Sequence, residues 1–272
     1  MIKTTIWAVL LGLLIGGLYW WQLEQRTGPP NAASPPAASA PAQPPQAAAS
    51  AIRYPIDVAE PAAASPAASA VKAPSTLGDA LAEVLGERAV LQWLNVDGFA
   101  HRVAVTVDNL ARPHAPARFW PVHPTPGRFA TEPRGDVEAI AGANSKRYAA
   151  FVAWVETLNS AQVAALYRRL YPQFQRAYEN LGYPGRYFND RVIAVIDHLI
   201  ESPRVAEPIE VRLANVKGPI QPTRPWVMVE FADPELEERS SGQKLMLRIG
   251  ADNARRLKTK LTELRTALTQ PR

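Results

Sequence analysis

Histidines and carboxylates are the residues from which this chain could build a reaction, and their spacing favours none in particular. The four histidines are His101, His114, His123 and His198. No two stand at the i,i+4 spacing that puts both imidazoles on one helix face for zinc, and no H-E-x-x-H occurs. His198 falls opposite the apolar stripe of its segment and reads as a surface histidine. Glu156, Glu179, Asp190 and Glu201 lie in helical patterns. Two such acids placed across a glycosidic bond suffice for hydrolysis, so that chemistry stays open. There is no G-x-S-x-G, phosphate loop or dinucleotide fingerprint. Cysteine is absent, which removes thiolate nucleophiles and thiolate metal sites. No metal or cofactor is expected.

The densest unusual stretch is Gly182-Tyr-Pro-Gly-Arg-Tyr-Phe-Asn-Asp-Arg191. Two readings of it stand side by side. Gly182 and Pro184 make a turn, and Asn189 or Asp190 caps the helix that follows. Alternatively, Tyr183, Arg186, Tyr187 and Arg191 present an aromatic and guanidinium surface suited to a peptide or a sugar ring. These four are the candidate partner-binding residues. Phe231-Ala-Asp-Pro234 offers a similar choice, with Asp233 explained as a helix cap.

The elements that must position these groups are mostly helical. Thr76-Leu-Gly-Asp79 reads as a capping box opening a helix that Gly86 ends, and a short helix over Arg88–Leu94 follows. Phe99, Val103, Val107 and Leu110 recur at helical spacing, while Arg102–Asp108 also alternates with period two; the longer pattern favours helix. Arg112–Gly135 is a Pro-rich loop with one or two short strands, the better being Gly127–Thr131. Helices are expected over Ser145–Leu158, over Ser160–Leu181 with Pro172 kinking or splitting it, and from about Asn189. Strands are expected at Ile209–Leu213 and Trp226–Phe231. A short helix opens at Ala232-Asp-Pro, another includes Lys244–Ile249, and Asp252 caps a final helix. Its Ala254, Leu257, Leu261, Leu264 and Leu268 form a short coiled-coil-like seam, for docking on the domain's own core or, second, for a dimer contact. Arg255, Arg256, Lys258, Lys260 and Arg265 read as its solvated face. The fold class is mainly α with a small antiparallel β element, an α+β domain over residues 76–272.

Residues 1–75 say where that domain works. Ile6 to Leu18 carries no charge, and Trp20 and Trp21 follow where an interfacial aromatic belt belongs. Bulky Tyr-Trp-Trp-Gln-Leu in place of a small-residue cleavage site favours an uncleaved transmembrane anchor over residues 1–26. Lys3 and the amino terminus give a positive-inside bias. The expected location is the inner membrane, single-pass, with the N-terminus cytoplasmic and the domain periplasmic. Residues 27–75 are a disordered Pro/Ala/Ser-rich linker, with an extended reach on the order of 150 Å. The island Ile52-Arg-Tyr-Pro-Ile-Asp-Val58 interrupts it. This is either a chance apolar patch or a docking segment for a partner or for the domain. The formal net charge of +5 is too weak and too widely spread to indicate nucleic acid.

Six stretches carry a family resemblance. They are Asp108-Asn-Leu110, Leu166-Tyr-Arg-Arg-Leu-Tyr-Pro172, Tyr187-Phe-Asn-Asp-Arg191 with Val195-Ile-Asp-His198, Glu230-Phe-Ala-Asp-Pro234, and Gln243-Lys-Leu through Gly250. With them the chain resembles an uncharacterised bacterial family catalogued as domain of unknown function 3014. The resemblance implies an envelope protein with an N-terminal span and a low-complexity tether, and implies no activity or ligand. The expected function is therefore a non-enzymatic envelope interaction or scaffold protein, binding a periplasmic or cell-wall partner. An enzyme acting on an envelope polymer through paired carboxylates is the first alternative. A sensor or assembly factor using the basic final helix is the second.

Overall fold

The computed structural model describes residues 51–56, 76–214 and 228–270. The predicted span at Ile6–Leu18 and most of the linker lie outside these residues. Among the described residues no helix is long and apolar enough to cross a membrane.

Helix α1 (Leu77–Leu85) starts as its sequence requires. The Thr76 hydroxyl accepts from Asp79 N at 3.1 Å while the Asp79 carboxylate accepts from Thr76 N at 3.0 Å. Helix α2 (Glu87–Trp93) follows, then α3 (Phe99–Leu110). The helical reading of α3 holds, because Phe99, Val103 and Val107 share one face on the main core. After a loop with a single 3₁₀ turn at Ala117–Phe119 come β1 (Thr131–Arg134) and β2 (Val137–Ile140). The strand expected at Gly127–Thr131 is thus displaced toward the C-terminus. Gly135, at φ 63°, opens the two-residue turn that fixes the hairpin, a position the type II′ geometry reserves for glycine.

Helices α4 (Gly142–Thr157) and α5 (Ser160–Glu179) follow, α5 being capped by the Asn159 side chain. Helix α5 passes through Pro172 as one helix, so the expected split does not occur. One backbone bond is forfeited there, and burial of Leu166, Leu170, Phe174 and Tyr178 along the same helix offsets it. Next are α6 (Phe188–Ile200), β3 (Glu210–Leu213) and β4 (Val229–Phe231). The strand expected from Trp226 begins in residues outside those described. The four strands form one antiparallel meander in the order β1-β2-β3-β4.

The chain closes with α7 (Pro234–Glu237), capped by Asp233, then α8 (Ser241–Arg248) and α9 (Ala251–Thr269). Asp252 is not the cap of α9. The cap position is Gly250, and Ala251 N donates instead to Glu207 Oε1 at 2.7 Å; Asp252, already inside the first turn, pairs with Arg255. The fold is α+β, and mainly helical.

Three apolar clusters hold it. The largest joins α1, α2, α3, α5 and the start of α6. A second lies between the sheet and α7–α8, around fully buried Phe231. The third joins α5, α6 and α9 through Ala164, Ile193, Ile196 and Leu268, so the leucine seam of α9 docks on the domain itself. Helix α8 approaches α3 and α6 at Gly242, where a Cβ would come within 2.7 Å of Leu110 O.

The basic face of α9 is not simply solvated. Lys258 Nζ donates to Ser202 O at 2.5 Å, Lys260 Nζ to Leu158 O at 3.0 Å, and Arg265 grips Asp197 through both its Nε and an Nη. Arg256 pairs with Glu156. Long cationic side chains cover the helix surface with their stems and reach open carbonyls and carboxylates on neighbouring elements. His198 is likewise more than a surface residue. It is half-buried, with Nε2 hydrogen-bonded to Ser240 Oγ at 2.7 Å, next to the cap of α8.

Candidate functional site

The Tyr187–Asp190 corner seats a piece of the chain's own linker. Residues 51–56 belong to the same compact unit as the domain. Asp190, in the first turn of α6, accepts from Tyr54 N at 2.8 Å and from Arg53 N at 3.0 Å. Asn189 Nδ2 donates to Tyr54 O at 2.9 Å, and Tyr187 Oη accepts from Ile56 N at 2.6 Å. Ile56 is 8% exposed and joins the largest core, while Tyr54 packs on the α5–α6–α9 cluster. The island is therefore a docking segment, and what it docks on is the folded domain. Recognition falls mainly on its backbone, with Ile56 as the buried anchor. Beneath it Tyr171 packs against Tyr187 at 5.3 Å; burial, then the hydrogen bond with Tyr187, push the Tyr171 hydroxyl well above the usual tyrosine range.

Tyr183 and Arg191 converge elsewhere, on Asp108 of α3. Arg112 Nη2 lies 2.8 Å from Asp108 Oδ2, Arg191 Nη2 lies 3.3 Å from Oδ1, and Tyr183 Oη donates to Oδ2 at 3.2 Å. Arg191 Nη2 also donates to Asp108 O at 2.6 Å. Tyr183 stacks on Tyr178 with centroids 4.7 Å apart, and burial, then the Asp108 charge, raise the Tyr178 hydroxyl. Asp108 is buried at 6% exposure, with both its carboxylate oxygens paired to guanidinium groups, so the cluster reads as structural. Arg186 stands exposed on the loop between the two groups. Of the four candidate residues, then, two hold Asp108, one seats the linker segment and one faces outward.

Sequence reasoning missed Asp108, Asn189 and Asp190 as members of these groups. Asn189 and Asp190 sat at a helix start, where capping alone seemed sufficient. The local signal at Asp108 was Arg112 at i,i+4, which reads as an ordinary helix-surface pair; its other partners, Tyr183 and Arg191, are 75 and 83 residues away.

A second feature had no signature in the sequence. A cleft of about 410 Å³ opens between the loop 120–129, α4, α8 and the start of α9. Its walls include Trp120, Phe129, Phe151, Met246 and Leu257, and its described lining contains Arg128, Arg147, Arg248 and His123 but no acidic residue. Arg147 holds the rim: Nε donates to Pro126 O at 3.1 Å, Nη2 to Gly127 O at 3.1 Å, and Nη1 to the buried Asn144 Oδ1 at 2.9 Å. Asn144 Nδ2 in turn donates to Arg248 O at 2.9 Å, tying the loop to α8. The Arg248 side chain donates from Nη2 to Val229 O at 2.8 Å. Its guanidinium lies over Phe231 at 5.1 Å and near Phe129 at 5.9 Å. Among the described residues no group of histidines and carboxylates is placed to hold a metal ion.

The fold and these features define a small α+β domain with a self-docked linker segment and an arginine-lined apolar cleft. The chain belongs to the family described as Protein of unknown function (DUF3014), whose model matches residues 99–265, more than half of the chain. That match spans the Asp108 cluster, the Tyr187–Asp190 seat and the cleft, and leaves the docked segment outside it. No curated protein and no solved structure matches this chain.

Proposed function

We propose that this chain is a membrane-anchored envelope protein whose folded domain is a non-enzymatic interaction or scaffold module. In this reading the apolar run Ile6–Leu18 with Trp20 and Trp21 holds it in the inner membrane, N-terminus in the cytoplasm, and the domain works in the periplasm. The observation that carries the reading is the docked segment. Asp190, Asn189 and Tyr187 take hold of a short bent peptide segment by its backbone, which is the chemistry of a peptide-recognition surface. Tyr183, Arg186, Tyr187 and Arg191 border that seat, and the exposed Arg186 is the one of them open to a partner protein or wall component.

The other two readings find less support. A carboxylate-pair enzyme needs two acids across a substrate, and the described lining of the cleft beside Arg248 has none. An assembly factor contacting partners through α9 would have to use cations already committed to Ser202, Leu158, Asp197 and Glu156.

The test is in-cell photo-crosslinking from position 186, with position 128 as a control on another face. A discrete partner captured only from position 186 supports the reading; the same background from both positions sinks it. A reporter fused after Arg272 that is active only in the cytoplasm overturns the topology.

A further inference from the structure

The cleft beside Arg248 has no place in a peptide-recognition reading, and its composition is one-sided. Three arginines and a histidine line it, against no carboxylate among its described residues. Arg147 is consumed by the rim. Arg248 is different. It sits largely buried on α8 with one hydrogen bond, to Val229 O, and no carboxylate among the described residues comes within 4.0 Å of it. The nearest acid acting on it is Glu237, but both oxygens of that carboxylate are occupied: Oε1 takes Lys244 Nζ at 2.7 Å and Oε2 takes Phe231 N at 2.9 Å. Burial lowers the Arg248 guanidinium from its usual value, as expected of a cation short of a counter-ion. The connection from β3 to β4, residues 215–227, holds Lys217 and Arg224 and no acidic residue, so that segment brings no carboxylate either.

A guanidinium presents five donors in a planar fork, and one internal acceptor leaves most of them unused. The remaining donors are not sealed in, but they stand among apolar walls that hydrate a cation poorly. A ligand that supplies an anionic head to the fork and an apolar body to the walls relieves both at once. Clefts of this size accept small molecules. We infer that the cleft between α4, α8 and the loop 120–129 binds a small amphiphile, its apolar tail against Trp120, Phe151 and Leu257 and its single anionic head, carboxylate or phosphate, on Arg248. Charge complementarity selects the anion over the chain's own basic 215–227 segment as occupant.

The full chain in phosphatidylcholine nanodiscs is titrated calorimetrically with decanoate, decyl phosphate and decan-1-ol, with empty nanodiscs subtracted for partition. Expected is saturable binding of at least one anion, about tenfold or more weaker for Arg248→Met and for the alcohol, the loss of one charge-assisted hydrogen bond. Whichever anion binds more tightly identifies the head group. Leu245→Trp, which fills the cleft and leaves Arg248 in place, is expected to abolish binding. Thermal unfolding of each variant shows that it is folded, and Arg248→Lys should restore part of the affinity if Arg248→Met proves unstable. Equal heats for decanoate and decan-1-ol, or undiminished decanoate binding in folded Arg248→Met and Leu245→Trp, would overturn the inference, as would no saturable binding to the wild type. Crosslinking from position 186 is independent of all these outcomes.

Discussion

Two of the places where arginine and aromatic side chains meet in this molecule work to opposite effect. At the α3–α6 junction, Arg112, Arg191 and Tyr183 surround Asp108, and each guanidinium has a carboxylate oxygen to answer it. At the cleft, Arg248 lies over Phe231 with no carboxylate paired to it among the described residues. The first arrangement is structural: it fastens helices whose sequence positions are far apart. The second leaves binding capacity unspent. Residue type alone therefore does not mark a binding surface; what matters is whether the charge is already answered.

The comparison breaks most sharply at Asp108. Asp108→Ala strands two guanidinium groups beside a buried position, and a loss of about 3 kcal/mol is expected in urea unfolding. By contrast Arg248→Met should change unfolding free energy by no more than about 1 kcal/mol, because it exchanges a desolvated, unpaired cation for an apolar side chain of similar length. A large loss at Arg248 and a small one at Asp108 would invert the assignment of structure to one region and binding to the other.

The docked segment lies between these cases, since it is structural now but held by contacts a competing peptide could reproduce. Ile56→Ala empties a site in the main core, with an expected cost of about 2 kcal/mol. Tyr187→Phe removes the acceptor for Ile56 N together with the hydroxyl contact to Tyr171, for about 1 kcal/mol. Both should speed tryptic cleavage after the exposed Arg53 before the domain itself unfolds, Ile56→Ala more than Tyr187→Phe. Cleavage there at the wild-type rate in Ile56→Ala would mean that the segment is not held by its anchor.

Much of this fold was legible because local rules coincide with tertiary demand. Thr76 and Asp79 announce α1, and the stripes of α5 and α6 match their buried faces. The β1–β2 hairpin was poorly placed because β1 is exposed throughout and contains Pro133, tolerable on an edge strand but uncharacteristic of one. The Gly135-Asp136 turn was the signal that could have located it. The basic face of α9 was misjudged because a cation that reaches a distant carbonyl looks, in sequence, like one that reaches water. The docked segment was visible as an apolar island, while its seat depends on contacts spanning about 135 residues. The cleft has no linear signature at all, since its lining gathers from five separate stretches of chain.

The smallest expected effect tests whether the cleft wall depends on a charge pair that could screen Arg248. Glu237 links β4 to α8, accepting from Phe231 N and from Lys244. Burial acts to raise its carboxyl, but the Lys244 and Phe231 hydrogen bonds prevail and hold it below the ordinary value of 4.5. A carboxyl depressed in the folded state adds stability that is present above its unfolded value and lost as pH falls through the folded one. Glu237→Gln cannot titrate, so its stability deficit relative to wild type should be largest at neutral pH and shrink as the pH drops below about 4.5. Denaturant unfolding at pH 7, 5 and 3 measures that difference. A deficit that stays constant with pH would mean that the Lys244 pair adds no charge-dependent stability at this wall, and Glu237 would then be free to act on Arg248.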